Sequence, residues 1–431
     1  MKVVIAIDSL KGSLSSMEAG TAIKDGILAA KPDAEVIVKP LADGGEGTTD
    51  ALIEGMNGER IDLTVTGPMH TPVDAYYGYL KDTNTAVMEM ASAAGITLVP
   101  DSEKNPLLAT SYGVGEMIND AIQRGCRNFI IGIGGSVTND GGIGMLKALG
   151  VRFLDENGEE LKGCGGDLIK IKKIDISGLN PLIKECRFTV MCDVTNPLCG
   201  KDGATYTFGR QKGATPEIQD ELEKGMCNYR DIIQKQFGMD MDNVKGAGAA
   251  GGLGAALMVF LNGILKSGIE TVLDLLDFDR RLEGVDVVVT GEGATDWQSV
   301  FGKVMQGVGI HCKAHGIPAV AIVGSMGKGA EDIFEYASHP YTWGIMQSIP
   351  PEDISNKEPL KPILGTPPDL LHPPKGCAFA ARCPYAMKVC PCIDAPGFEV
   401  EGDGHKVWCW LYDERAKQMQ KTVNPITGKE V

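Results

Sequence analysis

The chain has no apolar run of about 18 residues, which excludes a membrane-spanning helix. No signal-peptide pattern precedes the first strand, Val3-Val4-Ile5-Ala6-Ile7, so a cytoplasmic protein is expected. Positive charge is in deficit, with 41 Lys and Arg against 57 Asp and Glu and a formal net charge of −16. That balance argues against nucleic acid as the main partner, because a phosphate backbone rewards the opposite sign. An anionic small molecule stays compatible, since it needs only a local Lys, Arg, metal ion or set of backbone N–H groups. There is no GxxxxGK[ST] P-loop and no protein-kinase motif set.

What the chain has is glycine in loops that follow apolar runs. With 431 residues and 43% hydrophobic content it is a globular chain, of about three domains by length or of two larger ones. Its organising stretch is residues 129–144, FIIGIGGSVTNDGGIG, in which a buried strand runs into a loop carrying Ser136, Asn139 and Asp140 between Gly134-Gly135 and Gly141-Gly142. A strand, a glycine loop and a helix in that order present backbone N–H groups to an anion. Three further loops resemble it: Asp43-Gly44-Gly45-Glu46 after the strand at 35–39, Cys192–Leu198 with Asp193 and Asn196 after the strand at 187–191, and Gly291-Glu292-Gly293 after the strand at 285–289.

The first sixty residues hold two βα units, the first helix opened by a capping box of Ser15 with Glu18. They point to a doubly wound parallel sheet with ligands at the carboxyl ends of its strands. Three strand-like runs at 61–66, 73–79 and 85–90 then form a meander, which reads as a second domain inserted into the first. Helices are expected at about 111–124 and 217–235 and at 255–265, and a last strand at 319–323. The fold class is α/β.

Glycine-framed carboxylates at strand ends suit two tasks: holding Mg²⁺ or taking a proton from a hydroxyl nucleophile. Lys11, Ser13 and Lys303 add groups for phosphate oxygens. Phosphoryl transfer needs little beyond positioning, charge neutralisation and a base. No histidine lies within the four loops and Ser136 has no GxSxG setting, which excludes a Ser-His hydrolase.

Residues 1 to about 329 resemble the two-domain bacterial glycerate kinase family, through IDSLKGSLSS, PLADGGEGT, IGIGGSVTNDGG, CDVTNPLCG, FGRQKGA, GAGAAGGLGAA and TGEGATDWQ with GK after it. The resemblance implies transfer of the ATP γ-phosphate to a hydroxyl of D-glycerate with Mg²⁺, 2-phosphoglycerate being the favoured product. It implies a flavodoxin-like domain (1–60 and 275–329) interrupted by a second α/β domain (61–274). Asp193 is then the expected base, with Lys11 and Asp296 also catalytic. Ser13, Asp43, Gly44, Gly45, Glu46, Gly134, Gly135, Ser136, Asn139, Asp140, Asn196, Gly291, Glu292, Gly293 and Lys303 would line the cleft. A kinase for another small hydroxy acid is the alternative within the same fold, and homo-oligomerisation stays open.

Residues 330–431 differ in kind: Pro-Pro occurs three times, periodicity is low, and five of the twelve cysteines crowd between Cys377 and Cys409. The stretches GTPPDLLHPPKGCAFAARCPYAMKVC and GHKVWCWL resemble the C-terminal segment of oligopeptide and dipeptide ABC-importer ATPase subunits. In that family such cysteines hold a [4Fe-4S] cluster, which here would be ligated by Cys377, Cys383, Cys390 and Cys409. Zinc and plain reduced thiols compete with that reading. The junction suggests a kinase whose own C-terminal strand and helix are replaced by a foreign tail, with impaired function expected. A non-enzymatic importer-associated or nonfunctional fusion product is the alternative from another class.

Overall fold

The structure, a computed structural model, describes residues 1–10, 13–241, 243–295, 304–326, 375–400, 405–419 and 422–423. They fall into two compact units, Met1–Ala294 with Phe301–Gly324, and Thr295–Val300 with Ser325–Val431. The strands of the first unit, in chain order, are β1 (Lys2–Ile7), β2 (Glu35–Pro40), β3 (Glu59–Thr66), β4 (Pro72–Leu80), β5 (Thr85–Glu89), β6 (Asn128–Gly132), β7 (Arg152–Leu154), β8 (Lys173–Asp175), β9 (Arg187–Met191), β10 (Ile264–Lys266), β11 (Val287–Thr295) and β12 (Ala319–Met326).

Four of them form one sheet in the order β12-β11-β1-β2. β1 lies at its centre, parallel to both β11 and β2, and its Val3–Ile7 side chains are all buried. That continuous apolar run is what a strand covered on both faces requires. The helix Ser16–Ala30 packs beside it, opened by the expected capping box: Glu18 N–H donates to Ser15 Oγ at 3.2 Å and Ser15 N–H to Glu18 Oε2 at 2.9 Å.

Six strands form the second sheet, β10-β9-β6-β5-β4-β3. β3, β4 and β5 pair antiparallel, as the meander predicted, while β5, β6, β9 and β10 run parallel. Helices Tyr112–Gln123 and Pro216–Phe237 form where periodicity placed them. The large core of this sheet gathers Phe129, Ile131, Phe188, Met226 and Tyr229, with Phe129 and Phe188 stacked 4.7 Å apart. A second core joins Val4 and Ala6 of the first sheet to Val87, Ile130 and Met191 of the second. The buried Glu89 carboxylate also accepts from Thr49 N–H at 2.8 Å, at the start of helix Thr48–Met56. A carboxylate is well placed there, against the positive end of the helix dipole.

Two expected elements differ. The apolar helix expected at 255–265 instead runs Ala249–Leu261, and Ile264–Lys266 is strand β10. The expected loop at Gly291–Gly293 is a continuation of β11, because Gly291 pairs with Ile7 and closes against Ile322 of β12. Among the described residues no helix is long and apolar enough to cross a membrane.

Candidate active site

Parallel strands end together where the two sheets meet, and a cavity of about 360 Å³ opens there. Three of the four glycine-rich segments reach it: Asp43-Gly44-Gly45 after β2, Ile133–Ser136 after β6 and Met191–Val194 around the end of β9. Gly44 explains how they fit so closely. Its φ is +90°, and a Cβ there would stand 3.0 Å from Met191 Cβ and 3.1 Å from Gly268 Cα. Only glycine takes that backbone without strain and leaves that space.

The cavity carries two carboxylates. Asp43 Oδ1 accepts from Gly45 N–H at 3.0 Å. Asp193 Oδ1 accepts from Gly268 N–H at 3.0 Å, at the first residue of the helix Gly268–Leu275. Loss of water in the cavity wall pushes the Asp193 pKa above the usual carboxylate value, and the Asp43 charge adds to this. The Gly268 N–H and Ser267 hydroxyl pull the other way by favouring the charged form. A carboxylate whose pKa is raised is a stronger base and is suited to take a proton. Around the same cavity, Gly134, Gly135 and Ser136 leave their backbone N–H groups without an acceptor among the described residues. Successive free amides of this kind form an anion-binding concavity.

Of the residues singled out from the sequence, the cavity therefore brings together Asp43, Gly44, Gly45, Gly134, Gly135, Ser136 and Asp193. Others stand elsewhere. Asp140 is fully buried behind its loop, accepting from Ser111 N–H and Oγ at 2.7 Å and from Gly142 N–H at 3.0 Å, so it braces the turn into helix Ile143–Ala148. Asn139 is buried and donates to Thr205 Oγ1. Asn196 donates to the Asp202 carbonyl at 2.7 Å, Glu46 is exposed on its turn, and Ser13 is exposed in the loop after β1. Gly291, Glu292 and Gly293 lie within β11, outside the cavity wall, and Glu292 is buried. Lys11, Asp296 and Lys303 lie outside the described residues.

The sequence reading missed Lys212. It sits in the quoted FGRQKGA stretch, at the end of the short 3₁₀ turn Arg210–Lys212, and is 1% exposed. Its Nζ donates to Ser136 Oγ at 2.7 Å and to the Thr138 carbonyl at 2.6 Å. Burial drives its pKa from 10.5 down to about 7, against the opposing pull of Asp140. It is the one cationic side chain among the described residues lining the cavity. Ala250, at the kinked start of helix Ala249–Leu261, also lines the cavity with a left-handed φ of 52°.

In the second unit, Cys377, Cys383, Cys390 and Cys409 line one small cavity with Tyr385 and Trp410. All twelve cysteines are free thiols. Among the described residues, three potential ligand atoms lie within 4.8 Å of one another only at Cys199, Glu223 and Cys227, so no three of the four tail sulfurs do.

The chain matches the glycerate kinase family over residues 3–357 and the C-terminal region of oligopeptide/dipeptide transporters over 328–390; the two share 328–357. It is 44% identical over 362 residues to a glycerate kinase of Bacillus cereus, covering 82% of this chain and 95% of that protein. It is 48% identical over 326 residues to the glycerate 2-kinase of Escherichia coli K12, covering 76% and 86%. A crystal structure of a candidate glycerate kinase 2 from Salmonella typhimurium LT2 superposes with a TM-score of 0.72 at 43% identity, over 78% of this chain and 94% of that one.

Proposed function

The chain belongs to the glycerate kinase family, and from that premise we propose that the cavity transfers the γ-phosphoryl group of ATP to the 2-hydroxyl of D-glycerate. The observation that carries this reading is the pair Asp43 and Asp193, lining one cavity beside three backbone N–H groups that are unpaired among the described residues. In it, Asp193 accepts the hydroxyl proton as the substrate oxygen bonds to the γ-phosphorus, and ADP leaves with the electrons of the broken P–O bond. Asp43 fits Mg²⁺, an ion that prefers one or two carboxylates plus phosphate oxygens; when bound, it neutralises phosphate charge. Choice of the 2-hydroxyl rests on the name of the Escherichia coli relative. The reading requires the cytoplasm, where ATP and reduced thiols coexist.

The test is glycerate-dependent ADP release by the full chain and by Asp193→Asn, with the product's phosphorus position read by NMR. Loss of a general base typically lowers kcat about 10²–10⁴-fold. Equal turnover in both proteins, or a 3-phosphoglycerate product, refutes the corresponding part. Impairment by the tail is also part of this reading, supported by Val320 and Ile322 of β12 standing 50% and 41% exposed. Full activity of the intact chain counts against it.

A second reading concerns the tail alone. Four thiols around one cavity, no three of them gathered within 4.8 Å as the roughly 2.3 Å bonds of a single zinc ion would gather them, support a [4Fe-4S] cluster ligated by Cys377, Cys383, Cys390 and Cys409. Anaerobic reconstitution should give about four iron and four sulfide per chain, reduced in Cys390→Ser. Stoichiometric zinc without sulfide overturns it.

A further inference from the structure

The buried ammonium of Lys212 is unexplained by the fold alone. A buried charge is retained when it is paired, and Lys212 makes no ion pair among the described residues. The nearby Asp140 is already occupied by the Ser111 N–H and hydroxyl and by the Gly142 and Gly144 N–H groups. Lys212 spends two of its three protons on neutral acceptors, Ser136 Oγ and the Thr138 carbonyl. The third has no acceptor among the described residues, on a side chain that lines the cavity. Gly134, Gly135 and Ser136 line the same cavity, and their N–H groups have no acceptor among the described residues. Together they make a seat for an oxyanion whose charge is matched by one cation.

We propose that Lys212, with the Gly134–Ser136 amides, binds the carboxylate of the acid substrate and so selects a hydroxy acid over a neutral polyol. This rests on the kinase reading of the cavity. An oxyanion could equally come from a phosphate group, but a nucleotide's polyphosphate carries several charges and Lys212 is the single described cation on the cavity wall. A small monocarboxylate is matched one-to-one by Lys212, whereas a polyphosphate would add unmatched negative charge to a wall that already holds Asp43 and Asp193. The carboxylate then fixes the substrate's end, and its hydroxyl is left to meet Asp193.

The experiment separates the two claims. Wild-type turnover on D-glycerate tests the kinase reading. Calorimetric binding without nucleotide tests Lys212 whether or not turnover occurs, using D-glycerate and its neutral amide on the wild-type chain and on Lys212→Met and Lys212→Gln. A charge-assisted hydrogen bond in a buried site is worth on the order of 10- to 100-fold in affinity. The wild type should prefer glycerate to the amide by that factor, and both variants should lose the preference while binding the amide as before. Equal binding of glycerate by wild type and variants, or no binding by the wild type, overturns the proposal. So does a variant that keeps glycerate affinity and loses affinity for a non-hydrolysable ATP analogue, which would assign Lys212 to phosphate. The wild-type glycerate-to-amide comparison stands even if a variant fails to fold.

Discussion

Lys212→Met should change stability in a way that depends on pH with a known sign. In the folded protein burial lowers the Lys212 pKa to about 7, from 10.5 in the exposed chain. Between those values the unfolded state binds more protons than the folded one, so wild-type stability rises with pH across that window. The full displacement corresponds to roughly 5 kcal/mol, about 4 kcal/mol of it acting at pH 7 and about 2 kcal/mol at pH 9. Methionine keeps the length of the side chain and removes the charge. It also strips Ser136 Oγ and the Thr138 carbonyl of a donor, which costs about 1–3 kcal/mol per group left unsatisfied but does not vary with pH. The absolute gain at pH 7 is therefore less telling than its change. The variant's stability relative to wild type should fall by about 2 kcal/mol between pH 7 and pH 9. Urea unfolding followed by far-UV circular dichroism at both pH values measures this. Tryptophan fluorescence is unsuited, because all four tryptophans lie at position 297 or beyond. A difference that stays flat with pH would mean that Lys212 keeps its ordinary pKa when folded, and one that grows would mean that its pKa is raised; either way the argument from burial would fail.

Two further outcomes follow from the same geometry. Asp43 raises the Asp193 pKa through its charge, so Asp43→Asn should move the acid limb of kcat/KM for glycerate to lower pH, whatever it does to the maximum; an unmoved limb would separate the two carboxylates. Gly251 has φ +66°, and a Cβ there would stand 2.2 Å from the Thr138 carbonyl, the oxygen that holds Lys212. Gly251→Ala should thus cost roughly 2–4 kcal/mol of stability and weaken glycerate binding along with it, and normal glycerate affinity in the folded variant would show that Thr138 does not position Lys212.

Much of the scaffold was legible because it depends on local pattern. The β1 run, the Ser15–Glu18 capping box and the meander at 59–89 each declare themselves within a few residues. What was not legible depended on partners remote in sequence. Thr290-Gly291-Glu292-Gly293 has the composition of a turn, and only a neighbour such as β1, nearly 300 positions away, keeps it extended as strand. Asp140 matches Asp43 in being followed at once by glycine, and Asp193 in lying in the loop after a buried strand. It turns inward because Ser111, from another helix start, supplies donors that no window around residue 140 contains. Lys212 is the converse case: Arg-Gln-Lys reads as a solvated surface turn, and its burial appears only once the 136–138 loop lies against it.

The same loop shows why the fold tolerates such costs. Within a few residues it carries the desolvated Lys212 amine, the buried Thr138 Oγ1 and Asn139 Oδ1 without hydrogen-bond partners, and contact with the left-handed Ala250–Gly252 kink. Each of these destabilises the folded chain, as does the buried Tyr229 hydroxyl of the large core, which also lacks a partner among the described residues. Clustering of unfavourable terms at one cavity is the arrangement expected where a ligand relieves them. An oxyanion at Lys212 would restore the missing counter-charge, so substrate binding and local stability are coupled through one side chain. On that logic, saturating D-glycerate should stabilise the wild-type chain more than the Lys212→Met variant. The margin should be widest below pH 7, where the amine is already charged, and should narrow as pH rises above it, where an anion must first draw a proton onto the amine. At the lower pH, binding should no longer take up a proton.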